Sequence, residues 1–186
     1  MIHTSINDEL VCKDIENWLK EYIEVNHAFY NYKFPPCPFA KSARLKGMIS
    51  IKAYHNQGFK TFVNNSVDEL LNDDQKNVSI LAFPSYFKWN LTVKWFINSI
   101  NKILVPKDYY AQFGTALKTT SRYPWSNGKP YFIVIVNKLS DVLDGHKSLL
   151  KTDYYTPWAD HHYDDVVLRR EKMYRKYTKS HCESNG

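Results

Sequence analysis

Two segments constrain this chain more than any other. "NVSILAFP" (77–84) is a nearly continuous apolar run of strand length, the pattern of a strand buried on both faces. "YFIVIVNK" (131–138) has the strongest strand character in the chain, rich in β-branched and aromatic residues. "MISIKAY" (48–54) predicts a third strand through Ile49, Ile51 and Tyr54. Helical patterns alternate with these runs. Residues 5–27 place Val11, Ile15, Trp18, Leu19 and Tyr22 on one face, with Ser5 or Asn7 as the expected cap. "SVDELLNDD" (66–74) predicts a short helix with Ser66 as N-cap and Glu69 completing a capping box. Residues 90–104 carry a stripe of Val93, Phe96, Ile97, Ile100 and Leu104, closed by Pro106. "YAQFGTALK" (110–118) fits strand or helix. Ser140 to Leu150 predicts a helix capped by Ser140, and Asp160 to Thr178 a last helix capped by Asp160.

The alternation predicts an α/β fold (α+β sandwich): one small sheet of three to five strands with helices packed on it, plus a C-terminal basic helix. At 186 residues the expected organisation is a single globular α/β domain over 1–158. Residues 159–186 would be the C-terminal basic helix and a tail that frays.

Three cysteines, Cys12, Cys37 and Cys182, have no regular spacing and no CxxC, so neither a disulfide framework nor a zinc ribbon is indicated. The start of the chain lacks a basic segment followed by an apolar one, so no signal peptide is expected. The longest apolar run, Tyr131–Val136, is far below the roughly 20 residues that span a bilayer. A cytoplasmic protein without membrane contact is the expectation. Formal net charge is +6, and residues 169–179 hold six basic residues against one acid, Glu171. The basicity therefore belongs to the C-terminal segment, while the body is near neutral.

The stretch "FPPCPFAKSARLKG" (34–47) is the first candidate site. Prolines 35, 36 and 38 fix φ and hold their predecessors extended, so Cys37 sits on a stiff backbone. Lys41 and Arg44 follow, and a helical turn over "AKSARLKG" would put Cys37 near a helix N-terminus; both features favour thiolate. The alternative is a small buried cysteine filling space in a proline-braced loop.

"PPCPFAKSARLKGMISI" resembles the signature of a bacterial family of unknown function that carries a Leu-Cys-Pro-Phe-Ala motif after an N-terminal Trp-bearing helix. Trp18, Cys37, Pro38, Phe39, Ala40, Lys41 and the strand at 48–54 fall in the family's order. "LAFP" (81–84) and "RYPW" (122–125) correspond to later family segments. The chain departs from the pattern at Pro36, where the family has Leu, and in its basic C-terminal helix. The resemblance implies a site at the CPFA motif and carries no reaction with it.

Two function classes follow. In the first, a small enzyme binds an anionic substrate in a pocket centred on Cys37, with Lys41 and Arg44 attracting the anion and Arg122 and Tyr123 completing the site. The cofactor is unknown from the sequence, and GxGxxG, P-loop and GxSxG are all missing. In the second, the C-terminal helix binds nucleic acid or another polyanion through Arg169, Lys172, Arg175, Lys176, Tyr177 and Lys179, with Tyr174 interleaved. "ADHHYDD" puts His161 and His162 within one helical turn of Asp165. Acids at a helix start are expected from the helix dipole alone, so no metal site is assigned.

Overall fold

The computed structural model describes residues 8–55, 58–84, 91–115 and 131–183, and at 84, 91, 114, 115 and 178–183 the backbone only. Helix α1 (Asp8–Trp18) continues as a π-helical turn (Leu19–Ile23), followed by α2 (Ala40–Leu45), β1 (Ile49–Ala53), α3 (Phe59–Leu71) and β2 (Val78–Pro84). Then come α4 (Leu91–Leu104), β3 (Tyr109–Thr115), β4 (Tyr131–Lys138) and α5 (Leu139–Leu149). The final stretch is α6 (Asp160–Tyr163), a π-helical turn (Asp164–Leu168) and α7 (Arg169–Glu183). The fold is α+β: one mixed four-stranded sheet, in the order β1-β2-β4-β3, with helices packed on it.

Contacts along the chain define two compact units, 1–88 with 113–135, and 89–112 with 136–186. In the first, β1 and β2 pair in parallel, Ile51 opposite Ile80, and α3 provides the crossover between them. Side-chain alternation sends Ile80 and Ala82 to one face of β2, where they join Val11, Ile15, Trp18 and Leu19 of the α1 segment. Phe83 points to the other face, where its ring meets Phe59 and Phe62 of α3 and Phe132 of β4. Covering both faces explains why "NVSILAFP" has no polar alternation. Phe83 and Phe132 are completely buried, and truncating such a side chain typically costs about 3–5 kcal/mol.

Helix α3 starts at Phe59 rather than at Ser66. Ser66 is buried in mid-helix because Phe62 and Val63 extend the apolar stripe toward the N-terminus. Gly58, at φ +83°, opens the helix instead. The first helical stretch ends at Ile23, four residues short of expectation, and its buried stripe finishes on Ile23 rather than Tyr22.

In the second unit, α4 buries its predicted stripe and ends in a 3₁₀ turn containing Pro106. The buried amide of Asn101 imitates a neighbouring strand. Its Nδ2 donates to Ala111 O at 2.8 Å and its Oδ1 accepts from Ala111 N at 2.7 Å. Asp108, held at φ 64°, caps α5: its carboxylate accepts from Ser140 N and Oγ at 2.8 and 2.5 Å. Ser140 is thus the capped residue and not the cap, since α5 begins one position earlier at Leu139. Likewise Ala159, not Asp160, occupies the cap position of α6. Val105, Tyr110 and Leu139 form a small core against which Leu143, Met173 and Tyr177 pack.

Candidate functional site

The proline-rich loop enters α2 with its backbone fastened at both ends. Cys37 N donates to Ile23 O at 3.1 Å, and Ala40 N donates to Cys37 O at 3.2 Å. Pro36 is buried, and the half-buried Cys37 packs on the cluster of Val11, Ile15, Trp18 and Tyr131. Lys41 is exposed on the first turn of α2. Arg44, on the last turn, forms a bidentate fork with Glu24, Nε and Nη2 donating to the two carboxylate oxygens at 2.7 and 2.8 Å. The Glu24 side chain is only 4% exposed, so this pair neutralises a carboxylate taken out of water. The Glu24 hydrogen bonds raise the guanidinium pKa above its ordinary value. Arg44 thereby fixes α2 to the end of the first helical stretch, and its charge is already balanced.

Other reactive groups of this unit are similarly occupied. Burial, reinforced by Asp8, raises the Cys12 thiol pKa, and Sγ donates to Ile51 O at 3.7 Å. Tyr131 donates its hydroxyl to Asp14 at 2.9 Å, and burial together with that bond pushes its pKa up to about 12. His55 pairs with Asp8 at the surface. Arg122 and Tyr123 lie outside the described residues, as does the "RYPW" segment.

The C-terminal helix has two unlike sides. Arg170, Met173 and Tyr177 (i, i+3, i+7) turn inward. Arg170 donates to Gln112 and lies 5.7 Å from the Tyr110 ring centroid. Met173 and Tyr177 pack against Val105, Tyr110 and Leu139. Lys172, Arg175 and Lys176 form the opposite face and are exposed. Position 179 continues the same i, i+3, i+4, i+7 series along α7. Arg175 is 74% exposed, with Glu171 3.5 Å away one turn earlier. Lys176 Nζ lies 5.4 Å from the centroid of Tyr177. Arg169 sits at the edge of this face, its guanidinium donating to Asn98 of α4. Tyr177 is therefore an anchor, while Tyr174 is the tyrosine left 37% exposed.

Buried His146 of α5 holds α7 from its other flank. Nδ1 is 3.0 Å from Tyr155 Oη, and Nε2 is 3.4 Å from Glu171. Burial lowers the His146 pKa and Arg170 adds to that, while Glu171 opposes it. With a proton on Nε2 toward Glu171, Nδ1 is the ring atom that would accept from Tyr155 Oη. Glu171, the single acid among the six basic residues of 169–179, is thus turned toward α5. His161 and Asp165 are exposed, and the His162 ring lies 4.6 Å from that of Trp158. Among the described residues, no three His, Cys, Asp or Glu side chains form a group that could hold a metal ion. None of the described helices is long and apolar enough to cross a membrane.

Sequence reading passed over Trp95. It lies off the apolar stripe of α4 and is 64% exposed, a position its helical phase alone could have flagged.

No family model, curated protein or solved structure matches this chain.

Proposed function

We propose that this protein binds nucleic acid through the outward face of α7. One observation carries the reading: Lys172, Arg175 and Lys176 are exposed together on a helix whose opposite side is anchored by Arg170, Met173 and Tyr177. A folded helix that presents fixed cations needs no ordering on binding, and each cation can displace a condensed counterion from a phosphate backbone. The Cys37-centred reading has weaker support, because Arg44 is committed to Glu24 and Cys37 packs on the core.

The test is fluorescence anisotropy with labelled oligonucleotides across a salt series. Binding should weaken steeply with salt. The triple variant K172E/R175E/K176E should bind much more weakly at low salt, with a single-strand salt slope lower by about 2. Absence of binding at low salt, or an unchanged slope in a folded triple variant, overturns the proposal.

A further inference from the structure

Resting on that reading, we infer that the ligand is single-stranded nucleic acid, and that Trp95 of α4 is the platform on which a base stacks. The placement follows from contacts inside the second unit. Arg169, at the start of α7, bonds Asn98 in the middle of α4. Met173 and Tyr177, farther along α7, pack on Val105, just beyond the end of α4. Helix α7 therefore starts within one side-chain bond of the middle of α4 and passes against the turn at its end, so the two point the same way.

Trp95, Asn98 and Lys102 form an i, i+3, i+7 row on the α4 edge that meets Arg169. Across the seam, Lys172 and Lys176 follow Arg169 at the same spacing. Lys94, Lys102, Lys172, Arg175 and Lys176 are all exposed, and α4 contains no acidic residue. The result is a cationic surface to which both α4 and α7 contribute, with one large aromatic, 64% exposed, on its α4 side. The exposed Asp164 and Asp165, one turn before α7, bound this surface there.

A duplex keeps its bases stacked inward and would meet only the cations. A single strand can place phosphates on the lysines and lay an unpaired base on the indole, which accepts any base because every base has a π-face. Trp95 thereby gives the surface a reason to prefer single strands, which charge alone does not.

Three probes separate the possibilities: a labelled oligo-dT, a duplex of equal charge, and inorganic polyphosphate, which has the charge and no bases. Wild-type protein should bind oligo-dT more tightly than the duplex. Trp95→Ala should weaken oligo-dT binding about 5- to 150-fold, the range of one lost stacking contact, and leave polyphosphate binding unchanged. Trp95→Phe, which keeps a ring, should recover most of the loss. Exposure of Trp95 makes these variants mild for folding, and an unchanged circular dichroism melt checks it. Unchanged oligo-dT binding in Trp95→Ala overturns the stacking role, as does an equal loss with polyphosphate; in both cases the charge reading survives. If wild-type protein binds none of the three probes, the α7 proposal itself falls, and this inference with it.

Discussion

The proline-rich loop with α2 and the C-terminal helix both look, as strings, like anion sites: each sets arginine and lysine beside aromatic residues. Their structures differ in what surrounds the charge. In the first, Glu24 meets Arg44 in a two-point fork, and the pair closes the turn between helices. In the second, the single interspersed acid, Glu171, turns one oxygen toward His146 and the other toward Arg175, and Lys172, Arg175 and Lys176 stay exposed. A count of basic residues measures charge, whereas binding depends on charge that stays exposed at the surface. The same contrast separates the two aromatic groups. Tyr131 buries its ring and gives its hydroxyl to Asp14, while Trp95 is exposed on a cationic edge.

Reversing charge in each region tests this difference most directly. K172E/R175E/K176E should weaken oligonucleotide binding at low salt far more than about tenfold, whereas Lys41→Glu should change affinity less than about threefold. Equal losses in anisotropy titrations would mean that both regions contribute, and the contrast would fail.

Arg44→Ala should lower the melting temperature by several degrees while binding persists, because the Glu24 carboxylate, 4% exposed, loses its cation. The double variant E24Q/R44A should recover part of that stability. A loss of binding without a loss of stability would make Arg44 a ligand contact instead of a fastener.

A smaller effect should appear in the pH dependence of stability. Burial sets the His146 pKa below its ordinary value of 6.5. The unfolded chain therefore takes up this proton at a higher pH than the folded one. Stability is fully present above the unfolded pKa and declines as pH falls through the folded pKa, with a slope of at most about 1.4 kcal/mol per pH unit. Urea titrations from pH 8 to 5 should show this decline for wild-type protein and a shallower one for His146→Gln. Parallel curves would refute it. His162 shifts in the same direction through burial, so the difference between the two proteins, not the raw curve, carries the test.

The smallest effect belongs to the residue that stands out most in the sequence. Cys37→Ser should alter oligonucleotide affinity less than twofold. A larger change would bring the CPFA loop back into the function.

Much of the fold was legible because its signals are local. Strands β2 and β4 follow from apolar runs, and α4 from its 3.6-residue stripe and Pro106. The errors fell where packing or a distant residue overrode a local cue. Ser66 begins a capping-box pattern, yet packing of Phe62 and Val63 carries the helix through it. Ser140 resembles a cap, but Asp108, 32 residues earlier, supplies the carboxylate that caps α5. The candidate site split in the same way. That residues 169–179 are basic could be read directly, whereas Tyr177 facing inward and Tyr174 remaining exposed could not.

By itself, then, the sequence determined the elements, their apolar faces and the concentration of charge at the C-terminal end, because periodicity and composition act within a few residues. Tertiary structure decided which of those charges are available. Arg44 finds its carboxylate 20 residues back, and Arg169 finds Asn98 71 residues back. Such pairings depend on which elements the topology makes neighbours, and burial makes them strong by removing water as a competing partner. The cations of α7 stay outward for the complementary reason: the apolar and hydrogen-bonding groups on its other side already satisfy what faces them.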